Sequence, residues 1–158
     1  MALVRLNKEL SDIIKKPPLG ITAGPKNNSN LMEWVATMVG PSNTPYADAL
    51  FTLKILFLKT YPFSAPKVVF VTPIYHCNIN QNGDICLDIL KDNWSPALTI
   101  DKVLLSISSL LADPNPGDPL MPAIAHQLRT NKPEHDRIAR EHAQDNAMNG
   151  LFNKLTFR

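Results

Sequence analysis

The chain is poor in cysteine, and its cysteines do not stand in a familiar pattern. Cys77 and Cys86 are the two cysteines among 158 residues. Neither a Cys-x-x-Cys pair nor a His-x-x-x-His pair occurs in the sequence, so the ligand spacing of a structural zinc site is missing. The sequence also gives little support for a redox dithiol, because two residues normally separate its cysteines, whereas eight separate Cys77 from Cys86. We therefore predict no metal site.

Long apolar runs and basic clusters are missing as well. No apolar stretch approaches the roughly 18 residues of a membrane span, and residues 1–16 lack the apolar core of a signal peptide. Basic residues stand at most two together, and the net charge is +2, which gives no nucleic-acid footprint. We expect a cytosolic or nuclear protein with protein partners, and with neither membrane nor nucleic-acid partners. Free thiols are expected there, so a Cys77–Cys86 disulfide is the less favoured alternative.

The spacing of apolar residues in the first half predicts a helix followed by a sheet. Residues 1–16 carry an apolar stripe with helical spacing, formed by Leu3, Leu6, Leu10 and Ile13. Polarity then alternates in three segments that are separated by Pro, Gly, Asn and Ser, at residues 31–39, 50–58 and 67–71. With a first strand near residues 20–23, these segments predict a four-stranded antiparallel meander.

The second half predicts a long loop and then helices. Periodicity is lost between Phe70 and Thr99, and an irregular stretch of this length inside a compact domain is usually functional. Thr99 is the predicted N-cap of a helix with an apolar stripe of Ile100, Leu104, Ile107 and Leu111. Further helices are predicted at about 120–130 and 133–148, with Pro133 near the start of the last one. The predicted fold class is therefore α+β, with helices covering one face of the sheet.

The irregular stretch contains the segment "YHCNINQNGDICLDIL", in which Asp84 and Asp88 flank Cys86. Two carboxylates raise the pKa of a nearby thiol, which disfavours a cysteine protease. They interfere less with exchange against an activated thioester, whose leaving group is itself a thiolate. The alternative is that Cys86 is a small buried apolar residue. Asn78 has two interpretations as well: an amide that supports an oxyanion, or an ordinary turn residue.

Four longer stretches resemble the ubiquitin-conjugating enzymes. They are "IYHCNINQNGDICLDILKDNWSPALTIDKVLLSISSLL", "DPNPGDPL", "TYPFSAPKV" and "RIARE". The resemblance covers about residues 1–148 and is greatest to the small class that has the catalytic core alone and builds chains with many ligases. It implies the α+β fold of that family, a catalytic core over residues 1–148 and a C-terminal tail over residues 149–158.

The resemblance also implies an activity and the residues that perform it. Cys86 would accept ubiquitin as a thioester from the activating enzyme and pass it to a substrate lysine, with no cofactor of its own because ATP is used by the activating enzyme. Asn78 would support the oxyanion, and Asp118 would orient or deprotonate the lysine. Asp88 and Asn115 would line the same groove, whereas His76 would have a structural role.

The implied partners are ubiquitin, its activating enzyme, RING or HECT type ligases and protein substrates. The ligase-facing residues would be Arg5, Lys8, Pro62, Phe63, Ser95, Pro96 and Ala97. Thr22 on the first strand would belong to a second, noncovalent ubiquitin site, although the family usually has serine there. Two alternatives stay open: an enzyme for another ubiquitin-like modifier, and a noncatalytic relative that binds ubiquitin or a ligase.

The sequence departs from the family pattern at several positions. The family motif His-Pro-Asn is replaced by His76-Cys77-Asn78, which removes the restraint of proline on the asparagine and predicts slower aminolysis. We hypothesise that oxidation pairs Cys77 with Cys86 and stops loading. Asp48 and Ala49 replace two glycines, which predicts strain if either position needs a positive φ. Apolar residues at 151, 152, 155 and 157 either dock on the domain, recruit a partner or belong to a disordered tail.

Overall fold

A computed structural model describes residues 1–148 of the chain, and the predictions about residues 149–158 lie outside that part. A helix comes first, α1 (Ala2–Lys15). The strands follow as β1 (Ile21–Asn27), β2 (Asn30–Val39), β3 (Leu50–Leu56) and β4 (Lys67–Phe70). The remaining helices are α2 (Ile100–Ala112), α3 (Pro122–Thr130) and α4 (Lys132–Ala143), together with a 3-10 turn at Asp88–Leu90 and a π-helical turn at Gln144–Met148. The predicted α+β fold is confirmed.

The four strands form one antiparallel sheet in the order β1-β2-β3-β4, which is the predicted meander. Side chains of β3 alternate between buried and half-buried, as expected for a sheet with one face against the core. β1 continues to Asn27, beyond the predicted end near Ala23. Pro25 is tolerated there because β1 is an edge strand, and the register shifts between Pro25 and Asn27.

Helix α1 packs against β2 with a face slightly different from the predicted one. Its buried residues are Ala2, Leu6, Glu9 and Ile13. Leu3 is 54% exposed, so its assignment to the apolar stripe was wrong. The buried face follows the spacing 2, 6, 9, 13, which leaves Leu3 at its edge in the first turn. Glu9 occupies a core position instead, and its carboxylate is hydrogen bonded there.

Helix α2 begins where predicted, but a side chain from another helix, Glu9 of α1, caps its first turn. Thr99 is the N-cap residue, yet its hydroxyl contacts the Asp101 carboxylate. Glu9 Oε1 on α1 accepts the backbone N–H of Ile100 at 2.7 Å, so a carboxylate satisfies an N-terminal N–H of the helix. The predicted stripe of Ile100, Leu104, Ile107 and Leu111 is buried, as expected. Among the described residues, every helix is too short or too polar to cross a membrane.

The turn that contains Asp48 has a positive φ, the geometry for which the sequence predicted strain. Asp48 has a φ of 66°, in the left-handed region that glycine adopts without strain. Aspartate tolerates this region better than most other residues do. The neighbouring Gly40 N–H bonds the carbonyl of Ala49 at 2.8 Å, which fixes the turn. One of the two replaced glycine positions therefore does need a positive φ.

The irregular segment that holds both cysteines is fastened to the sheet by Gly83. The Phe70 N–H donates to the Gly83 carbonyl at 2.9 Å, and Val69 forms a bridge with Asp84. Gly83 has a φ of 84°, and a Cβ on it would lie 2.0 Å from the Phe70 carbonyl oxygen. The close approach of the two backbones therefore requires glycine at this position.

We expect Gly83→Ala to lower the free energy of unfolding by about 2–4 kcal/mol, because both the φ and the added Cβ are unfavourable. Gly24→Ala is the matched control, since a Cβ there meets the nearest side chain at 4.0 Å. It should change stability by less than about 1 kcal/mol. Urea unfolding of both variants measures the difference, and equal stabilities would contradict the assigned role of Gly83.

Candidate active site

Cys86 is half-buried at the edge of a groove of about 590 Å³. Its backbone N–H donates to the Asn78 carbonyl at 2.9 Å, which aligns the two halves of the irregular segment. Its Sγ lies 3.3 Å from Asp118 Oδ2 and 3.9 Å from Lys91 Nζ. The thiol is thus accessible and stands between an exposed carboxylate and an exposed ammonium group.

The charges around Cys86 act on its pKa in opposite directions. Burial raises the pKa of the thiol above its usual value, and the hydrogen bond to Asp118 raises it further. Lys91 lowers it, because an ammonium group favours the thiolate. The raised pKa agrees with the direction expected from acidic neighbours, although the carboxylate that contacts the sulfur belongs to Asp118 rather than to Asp84 or Asp88.

Asn78 is buried, and its side-chain amide connects two loops. Nδ2 donates to the carbonyls of Asn115 at 2.8 Å and Asp118 at 3.0 Å, and Oδ1 accepts the N–H of Asn115 at 2.8 Å. The backbone N–H of Asn78 donates to His76 Nδ1 at 3.0 Å. Both amide protons of Asn78 are therefore used within the protein, and they fix the loop that carries Asp118.

His76 is fully buried and links Asn78 to helix α2. Its Nε2 bonds the Leu110 carbonyl at 2.9 Å near the end of α2, and its Nδ1 accepts the Asn78 N–H. This pattern requires the neutral ring with the proton on Nε2. Burial lowers the pKa of His76 to about 4, which keeps the ring neutral at physiological pH. The geometry is that of a structural residue.

Cys77 is a buried free thiol, 1% exposed, that packs with Ile124 and Ala125. Its carbonyl accepts the N–H groups of Leu120 and Met121 at 2.8 and 3.0 Å. These bonds restrain the backbone at the position where the family has proline. They hold the Cys77 carbonyl, whereas proline would fix φ at this position, so the predicted effect on aminolysis remains a prediction. The proposed pairing with Cys86 is a prediction as well, and a buried Cys77 needs movement of this segment to react.

The remaining groove residues hold the loops in position. Asp88 accepts the N–H of Ile89 at 2.8 Å and the side-chain amide of Asn93 at 2.9 Å, which stabilises the turn after Cys86. The Asn115 side chain accepts the Gly117 N–H at 3.2 Å. Lys91 was missed from the sequence, because its contact with Cys86 depends on the 3-10 turn between them. Among residues 1–148, no three His, Cys, Asp or Glu side chains are arranged to hold a metal ion.

The seven predicted ligase-facing residues lie on α1 and on two neighbouring loops, but two of them are partly or wholly engaged within the protein. Pro62 is buried, and its carbonyl accepts the Trp94 indole N–H at 2.8 Å. Arg5 is half-buried and donates to the Leu98 carbonyl at 2.8 Å. Phe63 is 70% exposed. Exposed side chains are also presented by Lys8, Ser95, Pro96 and Ala97.

Thr22 stands apart from the groove, exposed on edge strand β1. It pairs with Thr37 across the sheet, and the two hydroxyl groups are hydrogen bonded. The structure therefore places Thr22 on the solvent face of the sheet, where a second protein surface has access to it.

The chain matches the family model for ubiquitin-conjugating enzymes over residues 5–143. The match spans most of the 158 residues and includes the sheet, the groove and the helices described above. The chain therefore belongs to the ubiquitin-conjugating enzyme family, as the resemblance predicted. Proteins of this family are transferases of the ubiquitin conjugation pathway, which implies interaction with ubiquitin, activating enzymes and ligases in general.

The opposed charges at Cys86 predict the reactivity of its thiol. Asp118→Asn should accelerate alkylation of Cys86 by iodoacetamide at pH 7.5 by up to about tenfold, because each unit of lowered pKa gives about ten times more thiolate. Lys91→Gln should slow it, and all rates should rise with pH. Mass spectrometry of timed samples locates the label. Rates equal to wild type in both variants, or faster labelling of Cys77 than of Cys86, would contradict this account.

Proposed function

We propose that this protein is an active ubiquitin-conjugating enzyme that carries ubiquitin as a thioester on Cys86. The observation that supports the proposal most directly is the accessible Cys86 thiol with Asp118 Oδ2 at 3.3 Å and Lys91 Nζ at 3.9 Å. The other cysteine is buried, so it is a poor acceptor. A noncatalytic relative would have no need for a thiol held between an acid and a base.

The first step is exchange of thioesters. The Cys86 thiolate attacks the carbonyl carbon of ubiquitin bound to the activating enzyme, a carbon–sulfur bond forms, and the thiolate of the activating enzyme leaves. A raised thiol pKa is compatible with this step, because the attacking and leaving groups are chemically alike. Lys91 favours the thiolate form of Cys86. ATP is used earlier by the activating enzyme, and no cofactor of the present protein is required.

The second step is attack by an amine or a thiol. The substrate lysine attacks the Cys86 thioester, Asp118 orients its nitrogen and accepts a proton, and an isopeptide bond forms as the Cys86 thiolate leaves. With a HECT ligase, the attacking group is a cysteine and the product is a new thioester. Asp88 and Asn115 shape the groove through which the amine approaches.

Asn78 contributes in two ways in this proposal. Its hydrogen bonds to the Asn115 and Asp118 carbonyls hold the loop of Asp118 beside the thiol. Support of the oxyanion requires that one of these bonds opens, because both amide protons are engaged. The longer bond, at 3.0 Å to Asp118, is the one that we expect to exchange.

Exposed residues outside the groove are the proposed binding sites for ligases and for a second ubiquitin. RING or HECT ligases would bind Phe63, Lys8 and the loop of Ser95, Pro96 and Ala97, all of which are exposed. Thr22 would contact a second, noncovalently bound ubiquitin. The cytosol or nucleus is the proposed location, because both thiols then remain reduced.

The test mixes the protein with ubiquitin, its activating enzyme and ATP. Wild type and Cys77→Ala should form an adduct that thiols remove, Cys86→Ser should form an adduct that they do not remove, and Cys86→Ala should form none. Parallel reactions with other ubiquitin-like modifiers and their activating enzymes distinguish an enzyme of a different pathway. Absence of an adduct with every modifier would contradict the proposal and favour a binding role.

A further inference from the structure

Glu9 is a buried carboxylate that the reaction above does not use. It is 3% exposed and lies in the middle of α1. Its Oε2 accepts Arg5 Nε at 3.0 Å and the Tyr61 hydroxyl at 2.5 Å, and its Oε1 accepts the Ile100 N–H at 2.7 Å. Each partner belongs to a different element: α1 itself, the loop before β4 and the start of α2. A charge buried to this degree is retained only where its hydrogen bonds are satisfied.

The partners of Glu9 extend to both loops that carry the exposed ligase-facing residues. Arg5 also donates to the Leu98 carbonyl at 2.8 Å, which holds the loop before α2 against α1. The rings of Tyr61 and Trp94 lie 5.9 Å apart, and the Trp94 indole N–H donates to the Pro62 carbonyl. The loop after β3 and the loop before α2 are therefore fixed relative to α1 and to each other.

The residues that remain accessible are those at the outer ends of this network. Lys8 follows Arg5 on α1, Phe63 follows the anchored pair of Tyr61 and Pro62, and residues 95–97 lie between Trp94 and Leu98. The spacing of Lys8, Phe63 and residues 95–97 is thus set by bonds that converge on one carboxylate. Glu9 itself is too deeply buried to contact a partner.

We propose that Glu9 is a positioning residue that sets the geometry of the ligase-facing surface and so the affinity of the protein for ligases. This inference rests on the proposed function, in which that surface binds ligases. Recognition by preformed loops avoids the cost of ordering them during binding. Without the carboxylate, Arg5 loses its ion pair, so its bond to the Leu98 carbonyl is less supported, and the Tyr61 hydroxyl loses a charged acceptor. The two loops are then held less firmly against α1.

The test compares two tyrosines that are equally buried, each 1% exposed. Tyr61→Phe removes the hydroxyl that bonds Glu9, whereas Tyr46→Phe, the control, removes a hydroxyl that bonds the Tyr75 carbonyl at 2.5 Å. Glu9→Gln is the third variant. The probe is the purified RING domain of a ligase that accelerates discharge of the loaded wild type to free lysine. Its Kd for each unloaded protein and the ratio of RING-stimulated to unstimulated discharge are measured.

We expect Glu9→Gln and Tyr61→Phe to bind the RING domain about tenfold more weakly, and the stimulation ratio to fall in parallel. Tyr46→Phe should keep both values, and thermal unfolding shows whether the two tyrosine variants are equally stable. Equal Kd values for Tyr61→Phe, Glu9→Gln and wild type would overturn the inference, as would an equal loss in Tyr46→Phe. Failure of the wild type to load would instead contradict the proposed function. In that case, titration of the unloaded proteins with RING domains would still test the role of Glu9. If the wild type bound no RING domain, the inference about Glu9 would be overturned.

Discussion

The side-chain amide of Asn78 joins two irregular segments that lie outside the sheet and the helices. Through the carbonyls of Asn115 and Asp118 it fixes the loop whose carboxylate reaches the Cys86 thiol. Its own backbone carbonyl accepts the Cys86 N–H. A thiol and a carboxylate that come from different parts of the chain are therefore held together through one buried residue. The geometry of the candidate site therefore depends on this residue as well as on the contacts of the thiol itself.

Helix α2 connects this site to the hydrogen bonds of Glu9. At its start the Ile100 N–H bonds Glu9, and near its end the Leu110 carbonyl bonds His76, which in turn orients Asn78. Buried polar groups with satisfied hydrogen bonds thus stand at both ends of a helix with an otherwise apolar face. The loops that we propose to bind ligases and the segment of the thiol are thus both bonded to the same helix.

Much of the fold followed from the sequence, because burial on a strand repeats every second residue. Trp34, Ala36 and Met38 alternate in this way and are buried. The site residues followed from the resemblance alone, since local composition left Cys86 open between a catalytic thiol and a packing residue. Glu9 and Lys91 were not predictable, because their partners are set by tertiary packing and by a short turn. Leu3 was misplaced because the first turn of a helix fits two neighbouring stripes.

The central claim is that Asn78 holds a working thioester site around Cys86. Wild type and Asn78→Ser are loaded with ubiquitin on Cys86, separated from the activating enzyme and mixed with free lysine in a single turnover. The account predicts that both proteins load and that Asn78→Ser discharges more slowly, on the order of 10²-fold. Discharge of Asn78→Ser at the wild-type rate, or a wild-type adduct that lysine does not remove, would contradict it.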